Sequence, residues 1–514
     1  MKITALFLIL LLVWTTFAED LYVAQIALGA DTGASAANAK SLAWANTSGN
    51  WGSGAGKISA GDNLILVGTI TNTLNILGAG SSGNVITVKQ DVGGSKFSAP
   101  YFSTGTPNNY DGGAIRNFGQ SYVDLDGLWF EGVGNGDGLA YTNGWTAVNF
   151  TSVSRSTIRN CVFTNLYIRV AGTNRTGATA IQNTCKNGTA YSFFTVENCK
   201  VYHASTGIDT DYSGVTHDNT FRSNTIAYVN WGIRTGDRDS NSTNYNLAIY
   251  GNDISHFSNW DGTDAASQAI LHHNGIYCWA ESGGKLQTLS ISRNIIGPDF
   301  TITSPNQATS GVFISGVGAV GPITIDNNLF LEETSAPSNG DIFLWAGYGV
   351  ITHVYNNTVI GSGSGIGIGL NLQRGGTHNL KNNLITRKNA INITYSGTTT
   401  ETLNIDYNLG YDLVSGQAYS KSTTGSSSFK NFAQWQALGY DAHGLSSNPS
   451  LDANYVPQTG SPAIGVGVDL SAYFTTDMNG TTRPALWAIG AFEPLSSPVV
   501  HSATPVKRTR GVRR

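Results

Sequence analysis

The sequence predicts an all-β solenoid, a chain of short parallel strands wound into stacked coils. Three observations carry this. A six-residue phrase recurs: apolar, any, small or polar, Asn or Cys, any, apolar. Its copies fall at 158–163, 196–201, 221–226, 249–254, 291–296, 325–330, 354–359 and 380–385, with a partial copy at 405–408. The fourth position holds Cys161, Cys199, Asn224, Asn252, Asn294, Asn328, Asn357, Asn383 and Asn408, 25 to 42 residues apart. An internal repeat of that period is the mark of a solenoid. Second, Gly followed by Ile or Val opens a strand upstream of an Asn phrase at Gly207, Gly232, Gly275, Gly311 and Gly365. Third, long helical patterns are absent, so helical crossovers cannot join the parallel strands. What remains is a coil that winds directly onto itself. The repeated Asn suits a turn, and its amide can bond the Asn of the coil above and below.

The elements follow in order. Residues 1–18 read as a secretory signal peptide: Lys2 is the positive start, 5–13 the apolar run, and Thr15, Thr16 and Ala18 the small-residue cleavage region. That run is too short for a membrane anchor, and the mature chain is expected without a span. Residues 19–115 form an N-terminal cap and the first coils. The stretch 34–45 has helical composition, and strands are expected at 63–67, 74–77 and 85–88, separated by Gly and Ser. Residues 116–415 carry the repeat. A C-terminal segment, 416–495, closes the solenoid, with a short helix near 429–438 and strand-like runs over 452–495. The tail 496–514 carries Lys507, Arg508, Arg510, Arg513 and Arg514 and is expected to be disordered.

Bulk composition bounds the class. A chain of 514 residues exceeds one compact core, and stacking escapes that limit because each coil buries its face on its neighbours. With 62 Gly but only 13 Pro, low-complexity disorder is disfavoured. The formal charge of −4 gives no case for nucleic acid as a partner. Of the four cysteines, Cys161 and Cys199 share the repeated position and should stack about 4.8 Å apart. A disulfide between them, one using Cys185, and two stacked free thiols are all open; Cys278 stands apart. No zinc-ligand spacing occurs.

Two segments carry a family resemblance. The stretch 21–63, with Gly61-Asp62 before the first strands, is similar to the usual start of the secreted right-handed parallel β-helix proteins of bacteria. The run Gly460-Ser461-Pro462-Ala463-Ile464, through Arg483-Pro484 to Ile489-Gly490-Ala491-Phe492-Glu493, resembles their closing segment. That superfamily holds pectate lyases, alginate and chondroitin lyases, and polygalacturonases. The resemblance covers nearly the whole mature chain. It implies a right-handed parallel β-helix of roughly 10–12 coils, an N-terminal cap, an irregular C-terminal segment, a secreted or cell-surface monomer, and an extracellular polysaccharide as partner. The Asn-Thr-Asp, Asp-Asp, Gly-His-Gly and Arg-Ile-Lys series of polygalacturonases is absent.

The candidate site comes from strand alternation. Counting the Gly of each phrase as zero, plus one points inward while plus two and plus four face solvent. The outward set is then Asp209 and Asp211, Arg234, Tyr277 and Trp279, and Phe313 on successive coils. The region 205–285 is also the richest in ionisable residues. Elimination at C5 of a uronic acid needs a base and a positive group to neutralise the sugar carboxylate. Asp209, Asp211 and Asp237 are candidate Ca²⁺ ligands. Arg234 or Arg238 is the candidate neutralising group, and His272, His273 or Lys285 the candidate base. Tyr277, Trp279, Phe313 and Glu281 are expected to contact sugar. Asp209 and Asp211 also fit a two-carboxylate hydrolase, and Asp209 beside Arg234 fits a plain surface ion pair. Two function classes therefore remain open: a carbohydrate-active enzyme, lyase before hydrolase, and a non-enzymatic glycan-binding, adhesin or surface-structural β-helix.

Overall fold

The structure is a computed structural model. It describes residues 18–494 apart from 99–111, 133–145, 167–178, 186–187, 213, 238–241, 258–272, 281–283, 299–309, 317–320, 332–339, 347–348, 362–364, 374, 388, 396–400, 412–418 and 424–425. Residues 1–17 of the expected signal peptide and the basic tail 496–514 lie outside the described residues.

Each coil contributes three strands, and like strands stack in parallel into three walls. The first wall is a 15-stranded sheet running from Asp20–Ala24 through Asn63–Val67, Ser156–Arg159 and Ile323–Asp326 to Glu401–Asp406. The second and third walls share a 23-stranded sheet. In two coils a single strand, Lys200–Tyr212 and then Thr225–Asp237, runs through both. Elsewhere short strands such as Leu329–Leu331 build the second wall, and longer ones such as Asn274–Ala280 build the third. This is a right-handed parallel β-helix. Its interior is a file of apolar rungs, with Leu125, Ile158, Val196, Phe221, Ile249, Ile291, Ile325 and Val354 stacked in register and fully buried. Flat residues stack likewise: Phe97, Phe130 and Phe163 lie 5.0 and 4.8 Å apart, centroid to centroid.

The recurring Asn sits at the turn from first to second wall. Asn224 Nδ2 donates to Asn252 Oδ1 (2.9 Å) and to the carbonyl of Val196 (3.0 Å), and the Asn224 N–H donates to the same Asn252 oxygen (3.0 Å). The pattern repeats through Asn294, Asn328, Asn357 and Asn383 to Asn408. The residue before each Asn is left-handed, for example Ser223 (φ 56°), Asn327 (φ 52°) and Asn382 (φ 56°), which explains the small-or-polar third position. Asn252 bonds Asn294 directly and Val162 pairs with Lys200, so the two long intervals are single coils with insertions. Cys161 and Cys199 stack as free thiols, and Cys185 and Cys278 are free as well. Burial pushes the Cys199 and Cys278 thiols well up.

The ladder ends on a carboxylate. Asp441 Oδ1 accepts from the Asn408 N–H (3.0 Å) and Nδ2 (2.8 Å), and its Oδ2 accepts from Trp435 Nε1 (2.9 Å). A final Asn would turn a donor toward the indole N–H, whereas a carboxylate accepts on both sides. Trp435 belongs to the helix Phe432–Gln436, opened by an Asn431–Gln434 capping box, and stacks on Tyr419 to stopper the core. The opposite end is capped less regularly than composition suggested. The stretch 34–45 gives a 3-10 turn, Ala36–Asn38, and a helix only from Leu42 to Ala45, capped by Ser41 Oγ.

The C-terminal segment departs from expectation. Over 452–494 the described residues form no strands. The segment instead runs back along the outside of the second wall. Phe492, Ala491 and Val456 pack on Leu329 and Leu331, while Ala463 and Ile489 pack on Leu384 and Leu409. The reason lies in the fifth position of the repeat. It faces outward, and it changes from Thr225 and Asp253 to Ile295, Leu329, Leu384 and Leu409 in the later coils, with Thr358 between them accepting from the Ala491 N–H (2.8 Å). Polar clasps fix the segment. Asn356 Nδ2 donates to the carbonyls of Ala488 (3.1 Å) and Gly490 (3.0 Å), Asn382 Nδ2 to that of Val468 (2.8 Å), and Arg483 pairs with Glu493 and donates to Asn327 Oδ1 (2.6 Å).

Two stability predictions follow from the ladder. Asn328→Ala strips the acceptor from both Asn294 donors inside the protein and should lower unfolding free energy by about 2–5 kcal/mol in a urea titration; an unchanged midpoint would contradict the ladder's role. Burial raises the Asp441 carboxyl from its ordinary 3.8 to about 6, with the Asn408 and Trp435 donors opposing. A raised carboxyl stabilises the fold at low pH, and that contribution is lost as pH rises through about 6. The stability deficit of Asp441→Asn against wild type should therefore be larger at pH 4 than at pH 7.5, by about 2 kcal/mol.

Candidate functional site

The outer face of the third wall carries two neighbouring rows in register. One reads Arg116, Asn149, Gln182, Asp209, Arg234, Tyr277, Phe313, Phe343, Gly369, Asn392, Ser420. The other reads Asp211, Gly236, Trp279, Ser315, Trp345, Asn371, Thr394, Ser422. The wall is thus polar and charged at its N-terminal end, aromatic in the middle, and neutral and hydrogen-bonding at its C-terminal end. The expectation that Asp209, Asp211, Arg234, Tyr277, Trp279 and Phe313 share one wall is met.

Their exposure is not as expected. Asp209, Asp211, Arg234 and Phe313 are buried. Arg234 Nε donates to Asp209 Oδ1 (2.9 Å) and its Nη2 to Asp209 Oδ2, a two-pronged pair of low exposure. The guanidinium lies over the Trp231 ring (4.7 Å to the centroid) and near that of Trp279 (5.9 Å). Trp279 in turn lies on the backbone of Gly236, where a Cβ would come within 1.9 Å of the indole. From there the rings continue: Trp279 to Tyr277 4.9 Å, Tyr277 to Phe313 5.0 Å, Phe313 to Phe343 5.2 Å and to Trp345 6.4 Å. Neighbouring rings one coil apart must meet, because the coil rise equals the thickness of a stacked pair within about 1 Å.

Other sequence-predicted residues fall elsewhere. Lys285 is a correction: it opens the strand Lys285–Ser292 of the first wall, is exposed, and pairs with Thr243, so it is not beside the aromatic rows. Lys285 is near Trp279 in sequence, but the chain passes from the third wall to the first between Ala280 and Lys285. His273 directly precedes the strand Asn274–Ala280, buried against the Phe257 ring (5.6 Å). Asp237 ends its strand in register with Tyr212, and only its backbone is described. Arg238, His272 and Glu281 lie outside the described residues.

Two of the three candidate calcium ligands are already engaged, and the side chain of the third, Asp237, is not described. Both Asp209 oxygens are taken by Arg234, and Asp211 Oδ1 accepts from the Cys185 N–H (3.1 Å). Among the described residues no group of three or more His, Cys, Asp or Glu gathers around a point that could hold an ion. Charges on the first wall serve the scaffold. Lys89, Asp126, Arg159, Glu197 and Arg222 alternate in sign down the first wall, with Arg159 Nε to Asp126 at 3.0 Å and Arg222 Nε to Glu197 at 2.6 Å. Two of the histidines stack on rings of the next coil, His203 on Tyr228 and His217 on Tyr245.

Three aromatics escaped the sequence reading. Trp231 lies one residue before a corner Gly, outside the counted window. Phe343 and Trp345 sit at plus two and plus four in a coil whose corner Gly is replaced. The corner is tight, since a Cβ at Gly232 would lie 2.4 Å from the Gly275 carbonyl oxygen. In the missed coil Asp341 occupies it, held by Arg387 (Nε to Oδ2 2.9 Å, Nη2 to Oδ1 3.1 Å). The signal was present as Asp341-Ile342, a Gly-Ile phrase with one substitution. One coil on, Ile368 pairs with Ile342, so the corner is Gly367 rather than Gly365.

No family model and no curated protein sequence matches the chain. Solved structures of similar architecture include pectate lyase Pel9A, at 16% identity and TM-score 0.45 over 93% of this chain and 97% of that one. XylC in complex with xylose gives 9% and 0.45 over 92% and 98%, and the polygalacturonase of Erwinia carotovora ssp. carotovora 12% and 0.38 over 76% and 94%. The parallel β-helix fold itself rests on this chain's own strand register. Identities this low speak to architecture alone.

Replacing Arg234 by Ala leaves the Asp209 carboxylate buried without its cation, and should lower stability by about 3–5 kcal/mol in chemical unfolding. Arg234→Lys should recover only part of this, because an ammonium cannot bridge both oxygens while lying flat on an indole. Full recovery by Lys would contradict the two-pronged geometry.

Proposed function

We propose that this chain is a carbohydrate-active β-helix protein that binds an extracellular polysaccharide along the outer face of its third wall. The observation that carries the proposal is the run of stacked rings, Trp279, Tyr277, Phe313, Phe343 and Trp345, in register with amide and hydroxyl side chains. Such a surface pairs an apolar platform with hydrogen-bonding groups at a fixed pitch, as a polymer of sugar rings requires. The coil rise is close to the length of one sugar unit, so a linear chain laid along the solenoid axis meets a similar surface at every rung. Export through the N-terminal signal, with a mature chain starting at Glu19 and acting as a monomer, belongs to the same proposal. Among the described residues no helix is long and apolar enough to cross a membrane.

The finer reading, β-elimination on a uronic-acid polymer, needs a base and a cation within reach of the sugar. Arg234 is committed to Asp209, His273 is buried, and Lys285 is on another wall. That favours binding as the function of the described wall; the elimination reading then rests on Arg238, His272 or other residues that are not among the described ones.

Affinity electrophoresis against neutral and uronic-acid polysaccharides tests both. Wild type should be retarded by at least one polymer, and Trp279→Ala should weaken that by about tenfold. Retardation by none of them would overturn the proposal. A rise in ultraviolet absorbance from unsaturated product on a uronic-acid polymer would establish the lyase reading.

A further inference from the structure

A second file of side chains follows the corner where the chain turns from the third wall into the first. Tyr122, Arg155, Phe193, Asp218 and Asn246 hold one position there on successive coils, all with left-handed backbone (φ 59°, 54°, 55°, 56° and 54°). That conformation suits Asp and Asn, whose short side chains bond locally, and is costly for larger residues. Asp218 and Asn246 obey the preference, whereas Tyr122, Arg155 and Phe193 do not. The Arg155 guanidinium lies over the Phe193 ring (4.2 Å to the centroid) on one side and over that of Tyr122 (5.9 Å) on the other. Arg155 is exposed, Phe193 is 39% exposed and Tyr122 is half-buried.

What sets Arg155 apart is its lack of a carboxylate. Arg159 holds Asp124 and Asp126, Arg222 holds Glu197, and Arg234 holds Asp209. Among the described residues the Arg155 guanidinium has neither an acidic partner nor a hydrogen-bond acceptor. Asp218, the acidic residue of the same file, lies beyond Phe193, and its oxygens meet His217 Nδ1 (2.7 Å) and Asn246 Nδ2 (3.0 Å).

We propose that Arg155 is the centre of a binding site for one acidic sugar residue, a uronate or a sulfate ester, at this corner. Rings one coil before and one coil after hold the cation in place, and its N–H donors are left to the solvent side, where they can form charge-assisted bonds to an anionic group. Ordering the side chain in advance lowers the entropy lost on binding. The exposed edge of Phe193 gives the C–H surface of the same sugar an apolar contact. Arg155 and Phe193 are one coil apart, about 4.8 Å, so one sugar unit spans both. The site is separate from the ring run of the third wall and does not depend on it.

Titration calorimetry with oligogalacturonate, a sulfated galacto-oligosaccharide and its unsulfated counterpart tests this on wild type, Arg155→Gln, Phe193→Ala and Trp279→Ala. Wild type should bind at least one acidic ligand about tenfold or more tighter than the unsulfated one, and which of the two it binds identifies the anionic group. That affinity should fall about tenfold in Arg155→Gln and severalfold in Phe193→Ala, and should be unchanged in Trp279→Ala, with circular dichroism and melting temperature as in wild type. If Arg155→Gln does not fold, Phe193→Ala decides. Acidic-ligand binding that persists in Arg155→Gln, equal affinity for the unsulfated sugar, or no binding of either acidic ligand overturns the site. Binding that falls in Trp279→Ala alone overturns the site and leaves the third-wall reading standing. Binding that falls in Arg155→Gln and not in Trp279→Ala, with no other binding, supports the site and counts against the third wall.

Discussion

Register is the constraint on which the rest depends, and the buried Asn ladder holds it. A parallel strand can slip by one residue and turn every side chain to the opposite face. Here a slip would break hydrogen bonds at the turn, because each Asn gives and receives at fixed partners in the coils on either side. Buried amides have no water to fall back on, so an alternative register leaves several donors unpaired at once. Apolar rungs alone would tolerate such slips far better, since Ile, Val and Leu stack in many ways. The ladder makes one winding much better than its neighbours, and the outer rows of the third wall inherit that order.

The same logic explains how the two ends differ. Each Asn oxygen serves the coil before it, so the ladder has a direction. At its start Cys199 donates its backbone N–H to Asn224 Oδ1, and its buried thiol donates to the Ile158 carbonyl (3.6 Å) where later coils use an Asn amide. At its finish a donor pair must be met, and Asp441 meets it from the turn that follows the helix Phe432–Gln436. The C-terminal segment then returns along the second wall and shields the late coils. Paired asparagines appear where it docks: Asn327-Asn328, Asn356-Asn357 and Asn382-Asn383. The second Asn of each pair builds the ladder, and the first, left-handed, reaches out to the returning segment.

Much of this was legible in the residues. Apolar pairs around a recurring Asn define strand, turn and strand, and their period defines the winding. Alternation placed Asp209, Arg234, Tyr277 and Phe313 on one face because all four follow a corner Gly by two residues. The rest was hidden for physical reasons. Counting from Gly loses the coil in which Asp341 fills the corner and is neutralised from a distance by Arg387, so Phe343 and Trp345 were missed. Alternation tells direction but not cover, so the burial of Asp209 and Arg234 could not be read. The return of the C-terminal segment was written in the fifth position of the phrase, where Leu329, Leu384 and Leu409 face outward, but only the inward positions carry the period that draws attention.

What the wall offers is order at one pitch: an ion pair, then rings, then uncharged amides, all set by one winding. A co-crystal structure with a bound oligosaccharide tests that account most directly. Sugar rings lying along the third wall from Trp279 toward Trp345 are the predicted result. Density confined to the charged first wall, or to the shallow pocket beside Asp452 and Gln458, would contradict it.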